Sequence, residues 1–94
     1  MIKDILIVDD EKDIRELIAG ILHDEGYNTR LAWDLKTVKI ELTKRMPALI
    51  LLDVWLENSN VDGLDLLKII KRSYSNIPVI MISGHGTIDM AINA

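Results

Sequence analysis

Ile5-Leu6-Ile7-Val8 is an unbroken aliphatic run, the pattern of a strand buried on both faces of a parallel sheet. The period then changes. Ile14, Leu17, Ile18, Ile21 and Leu22 recur at helical spacing with charged residues on the other face. Asp10 is placed to cap this helix and Asp13 falls in its first turn, where acids favour the helix dipole. Gly26 is placed to stop it. Tyr27 to Ala32 reads as a second strand, more polar and therefore nearer an edge. Asp34 is placed to cap a second helix with Leu35, Val38 and Leu42 on its buried face, and Met46-Pro47 ends it. Ala48 to Leu52 is a third strand. After the polar stretch Glu57-Asn58-Ser59-Asn60, a third helix begins with Leu64, Leu67, Ile70 and Lys71. Pro78 to Ile82 is a fourth strand. Ser83-Gly84-His85-Gly86 reads as a loop, with Thr87 placed to cap a helix running to Ala94.

Strict alternation of strand and helix implies an α/β domain with a parallel sheet covered on both faces. Right-handed crossovers narrow this to a doubly wound sheet, whose working site lies beyond the carboxyl ends of the strands. Asp9, Asp10, Asp53 and Ser83 all directly follow predicted strand ends. Parallel strands side by side would bring the three aspartates to one sheet edge.

Composition changes this picture little. Ninety-four residues make one domain, residues 1–94, and no repeat or linker divides it. With no cysteine, disulfide and thiolate chemistry are excluded. A net charge of −4 argues against a nucleic-acid face. No apolar run approaches the roughly 20 residues of a membrane span, and the acidic start Met1-Ile2-Lys3-Asp4 is unlike a signal peptide. The expectation is a soluble cytoplasmic domain.

Three carboxylates crowded at one edge repel one another unless a cation sits between them. Mg²⁺, with Mn²⁺ as the alternative, prefers one or two carboxylates, waters and a phosphate oxygen. Asp53 is then a candidate carboxylate nucleophile that forms an acyl phosphate, and Ser83 can hydrogen-bond a phosphate oxygen. A single aspartate after a strand is ordinarily a turn former or a helix cap; three at equivalent strand ends are less easily explained so. Competing motifs are weaker. Gly84-His85-Gly86 begins like a dinucleotide fingerprint, but Asp89 stands where the third glycine belongs, and the motif follows the last strand rather than the first. His23 and His85 have no metal-ligand spacing. Trp33 and Trp55 lack the basic patch of a nucleic-acid platform.

With these residues in place, the chain resembles the receiver domain of two-component response regulators. Ile5 to Val8 with Asp9-Asp10-Glu11 is similar to the family's first strand and acidic pair. Leu51-Leu52-Asp53 is similar to its phosphoacceptor strand, Asp62-Gly63 to the turn before its third helix, and Pro78 to Gly84 to its fourth strand and phosphate-sensing hydroxyl. The segment from Asp53 through Ser83-Gly84-His85-Gly86 resembles the NtrX-like nitrogen-regulation class. The resemblance implies a flavodoxin-like fold of order 2-1-3-4-5. It implies phosphoryl transfer from a sensor histidine kinase to Asp53, with slow autodephosphorylation, so that the domain is a regulatory switch rather than an enzyme. It implies Mg²⁺ held by Asp10 and Asp53, by Asp9 mainly through water, and by the backbone carbonyl of Trp55, with Ser83 following the phosphoryl group. DNA would be bound only by a separate domain of the parent, which in this class also carries an ATPase that activates an alternative sigma factor. An aspartyl-nucleophile phosphatase would carry a second acid two residues after the nucleophile, where this chain has Trp55. A pure interaction module would not need the acid triad.

The loop from Asp53 to Asp62 lacks the family's usual Met-Pro and is longer than in most receivers. The same resemblance places the family's fifth strand, fifth helix, active-site lysine and switch aromatic beyond Ala94. The expected sheet is therefore 2-1-3-4, C-terminally incomplete, with Val79 to Ile82 as an open apolar edge. Such an edge invites pairing with another chain, so a homodimer or larger assembly is expected.

Overall fold

The computed structural model describes residues 3–53, 63–82 and 88–91. Its elements run β1 (Asp4–Val8), α1 (Lys12–Asp24), β2 (Asn28–Ala32), α2 (Leu35–Lys44), β3 (Leu49–Asp53), α3 (Gly63–Ser73), β4 (Val79–Ile82) and β5 (Ile88–Ala91). The sheet order is β2-β1-β3-β4-β5. β1 pairs in parallel with β2 and β3, and β3 in parallel with β4. The doubly wound order 2-1-3-4 expected from the alternation is therefore present.

Side chains alternate across each strand. Leu6 and Val8 of β1, Ile50 and Leu52 of β3, and Val79 and Met81 of β4 face Val38 and Leu42 of α2 and Leu66 and Ile70 of α3, forming one buried cluster. Ile5 and Ile7 face the other way and are also buried, so β1 lies inside on both faces. The second face is less completely covered. No residue of α1 is fully buried, and Leu17 and Ile21 are 60% and 56% exposed. Beside α1, a cleft of about 360 Å³ is lined by residues that include Ile5, Leu22, Leu49, Leu51 and Ile80. In α3 the inward phase is carried by Leu66 and Ile70, while Leu64, expected on the apolar face, is 52% exposed.

Helix ends show what the local sequence dictates. Asp34 caps α2: its Oδ1 accepts from the Thr37 N–H at 2.8 Å, and the Thr37 hydroxyl accepts from the Asp34 N–H at 3.1 Å. The Thr37 N–H foremost, and then the Thr37 hydroxyl, which donates to Oδ1 at 2.8 Å, hold the Asp34 carboxyl below its ordinary range. Gly26, at φ 93°, ends α1. The Gly26 N–H donates to the His23 carbonyl and the Tyr27 N–H to the Leu22 carbonyl, both at 3.0 Å, a paired closure that requires the left-handed glycine. At the other end of α1 the expectation is corrected. The N-cap is Glu11 rather than Asp10, because the Asp9 side chain accepts the Glu11 N–H at 2.9 Å and carries the turn one residue further.

The largest correction concerns the chain's last residues. A helix opening at Thr87 was expected; Ile88–Ala91 instead forms β5, antiparallel to β4, with Ile82 opposite Ile88 and Val79 opposite Ala91. The edge of β4 expected to stand open is thus paired within the chain. An unpaired apolar strand edge carries a row of unsatisfied backbone groups, and a short returning segment satisfies them where four residues of helix would not.

At the opposite end of the sheet an ion-pair network ties three elements together. Arg30 of β2 grips the Asp4 carboxylate through Nε at 3.1 Å and Nη2 at 2.7 Å. Its Nη1 donates to the Glu41 carbonyl at 2.8 Å, which also accepts the Arg45 N–H at 3.2 Å, and its Nη2 donates to the Arg45 carbonyl at 2.9 Å, bracing the end of α2. The Arg45 Nε also donates to Asp4, at 2.9 Å. Asp4 and Arg30 side chains are only 12% and 14% exposed. Arg30→Met is therefore expected to destabilise the fold by roughly 3 kcal/mol, because it takes two donors from the buried Asp4 carboxylate and leaves it to the more exposed Arg45. Urea unfolding checks this, and a loss within experimental error of zero would show the network to be dispensable.

Candidate functional site

The strand registers assemble the site. Val8 pairs with Leu52 in the β1–β3 ladder, so Asp9 and Asp53, each one residue further on, are level at the carboxyl edge. The Asp9 N–H extends the β1–β2 ladder by bonding the Ala32 carbonyl at 3.1 Å. Asp10 follows directly. Carboxylate oxygens of Asp9, Asp10 and Asp53 lie within 4.8 Å of one another, with Asp9 buried and the other two half-buried.

Burial is the main reason that the Asp9 carboxyl is pushed up from 3.8 to about 6. The Glu11 N–H opposes this, and the charges of Asp53, Asp10 and Glu11 add to it. Such crowding is unfavourable in the bare site and is relieved by a cation. The donor set fits a hard divalent ion. All three side chains offer carboxylate oxygens, and octahedral Mg²⁺ at 2.0–2.1 Å places opposite ligands roughly 4.2 Å apart. A spread of 4.8 Å is close to that span and leaves room for one carboxylate to bind through water.

The structure thus brings together Asp9, Asp10 and Asp53 as expected. Asp53 is the last residue of β3 rather than the first after it. Trp55, Ser83 and His85 lie outside the described residues; Asp53 is opposite Ile82 in the β3–β4 register. The sequence reading missed Arg15. Its Nη1 donates to the Asp9 carbonyl at 2.7 Å, and its guanidinium lies over the Trp33 ring, 5.1 Å from the centroid. Periodicity gives no hint of this, since Arg15 sits on the polar side of the helical pattern.

Among the described residues, no helix is long and apolar enough to cross a membrane. The profile of the response regulator receiver domain matches residues 5–94. The nitrogen assimilation regulatory protein NtrX of Azorhizobium caulinodans is 56% identical over 94 residues, covering 100% of this chain and 21% of that protein. A putative NtrX-like response regulator of Rickettsia bellii is 50% identical over 91 residues, 97% of this chain and 19% of that protein. Among solved structures, the receiver domain of NtrX from Brucella abortus matches with a TM-score of 0.84 at 54% identity, covering 88% of this chain and 69% of that one. The chain therefore spans about a fifth of the length of the curated relatives it matches. With its order 2-1-3-4 sheet, its acidic edge and its NtrX-type relatives, the chain belongs to the response regulator receiver domain family.

Proposed function

We propose that this domain, residues 1–94 of a longer regulator, is a phosphoacceptor switch in which Asp53 receives a phosphoryl group from the phosphohistidine of a sensor kinase. The observation that carries the reading is the gathering of Asp9, Asp10 and Asp53 within 4.8 Å at the carboxyl edge of the sheet. A carboxylate oxygen of Asp53 attacks phosphorus in line with the P–N bond. The P–O bond forms and the P–N bond breaks. The imidazole leaves with the electron pair and takes a proton from water.

Asp10 and Asp53 would hold Mg²⁺ or Mn²⁺, with Asp9 acting mainly through water and the Trp55 carbonyl as a further ligand. The bound ion supplies charge neutralisation for the incoming phosphoryl group. Ser83 would hydrogen-bond a phosphoryl oxygen and so report its arrival. Slow hydrolysis of the acyl phosphate would reset the switch. In the parent, the switch would act in the cytoplasm on a transcription-regulating output, and DNA would be bound only by a separate domain. The strand edge that motivated a homodimer or larger assembly is paired with β5, so self-association is proposed for the full-length regulator only.

Incubating the full-length protein with a small acyl phosphate and Mg²⁺ tests the reading. The expected result is one acid-stable, base-labile phosphoryl group per receiver, absent when the ion is chelated. No incorporation, or incorporation indifferent to chelation, would contradict it.

A further inference from the structure

Arg15 is not accounted for by the phosphoacceptor chemistry. It lies near the start of α1 (Lys12–Asp24), where the helix dipole disfavours a cation. Its Nε is buried with no hydrogen-bond partner among the described residues. A buried, unsatisfied N–H on a charged group calls for an explanation. The rest of the guanidinium provides one. Nη1 makes a 2.7 Å bond to the Asp9 carbonyl, and the planar group lies over Trp33 at 5.1 Å. The Trp33 backbone is tied in turn to α2, because its main-chain N–H donates to the Thr37 hydroxyl at 3.0 Å, the same hydroxyl that closes the Asp34 capping box. A continuous line of contacts runs from the start of α2 through Trp33 and Arg15 to the Asp9 carbonyl.

That carbonyl belongs to the peptide joining Asp9 to Asp10. The peptide is planar, so fixing its oxygen fixes its plane and with it the placement of the Asp10 Cα. The other side of Asp9 is already held by the Ala32 carbonyl through its N–H and by the Glu11 N–H through its Oδ1. Arg15 therefore supplies the restraint that those two bonds do not.

We propose that Arg15, braced on the Trp33 ring, is a positioning residue for the acidic pocket: it sets the Asp9–Asp10 peptide, and hence the spacing of the two carboxylates for a divalent cation. The inference rests on the reading of the pocket as a divalent-cation site. A lysine could supply one donor but no planar face for the tryptophan. Groups that orient metal ligands from behind typically change affinity by 10–100-fold when removed.

Mg²⁺ affinity of the full-length protein, measured by calorimetry on wild type and variants, tests the proposal. Arg15→Met is expected to weaken binding by about tenfold, while metal-free thermal unfolding shows the domain still folded. Trp33→Phe keeps an aromatic face and is expected to stay near wild type; Trp33→Ala is expected to lose several-fold. Because the pair acts as a unit, Arg15→Met with Trp33→Ala should lose no more than Arg15→Met alone. If Arg15→Met fails to fold, Arg15→Lys replaces it, with a smaller but measurable loss expected. Wild-type affinity in that folded arginine variant, or losses that simply add in the double variant, would overturn the proposal. Asp10→Asn separates the two readings. If it loses affinity while the Arg15 variant does not, only the positioning role falls. If Asp10→Asn binds as wild type does, or if wild type binds no Mg²⁺, the cation site falls and the positioning role with it.

Discussion

Asp53→Asn is expected to reduce phosphoryl incorporation to background, in full-length protein treated with phosphorylated kinase or with a small acyl phosphate. The amide has nearly the shape of the carboxylate but lacks an anionic oxygen to attack phosphorus. The surrounding β3 should be undisturbed, because its register with β1 and β4 is set by backbone pairing and by the burial of Ile50 and Leu52. Neither Asp9 nor Asp10 is expected to substitute. Asp9 is buried, with its Oδ1 committed to the Glu11 N–H, and Asp10 is committed to the cation in the proposed site. The same substitution removes one of the three clustered carboxylates, so Mg²⁺ affinity should fall as well. Radiolabel transfer and calorimetry on one preparation measure both effects; retained incorporation would exclude Asp53 as the acceptor.

Asp9→Asn should produce the opposite signs in stability and in metal binding. The Asp9 carboxyl stands at about 6 in the fold against an ordinary 3.8, chiefly through burial. Its folded value is raised, so its charged form costs stability. That cost is fully present above about pH 6 and disappears as pH falls toward the unfolded value. A difference of about two pH units corresponds to roughly 2 to 3 kcal/mol. Asparagine removes the charge and keeps an oxygen for the Glu11 N–H. The metal-free variant should therefore be more stable than wild type near neutral pH by up to that amount. Wild type should gain stability on acidification from about pH 7 to about pH 5, and the variant should gain less. With Mg²⁺ the order narrows or inverts, because the ion stabilises the native state by mass action only where it binds well. Urea unfolding across pH, with and without Mg²⁺, reads both effects. A metal-free variant less stable than wild type would contradict the electrostatic account.

Much of the site was legible because it rests on local signals. Aliphatic runs that end in aspartate locate β1 and β3, and alternation with helices makes them parallel neighbours. Asp9 and Asp53 must then share an edge whatever the details of packing. Asp34 and Gly26 were legible as cap and stop because their chemistry acts within a few residues. Features that depend on partners distant in sequence were not legible. Ile88–Ala91 is too short for periodicity to separate strand from helix, and its conformation follows from the edge of β4 that it covers. The Asp4–Arg30–Arg45 network spans 41 residues between Asp4 and Arg45 and needs both the β1–β2 register and the end of α2 to form. Arg15 escaped notice because its partner is a backbone carbonyl, which no residue type announces. The apolar stripe of α1 is legible from its helical spacing alone. Leu17 and Ile21 on it stay exposed, and α1 packs mainly against β1 and β2.

The central claim is that Asp53 carries the phosphoryl group. Reduction of the phosphorylated full-length protein with borohydride, followed by peptide mass spectrometry, tests it most directly, since an aspartyl phosphate is converted to homoserine where it stood. Homoserine at position 53, formed only after phosphorylation in the presence of Mg²⁺, is the result predicted. Homoserine at position 9 or 10, or a phosphoryl group that resists reduction and maps to Ser83 or His85, would contradict it.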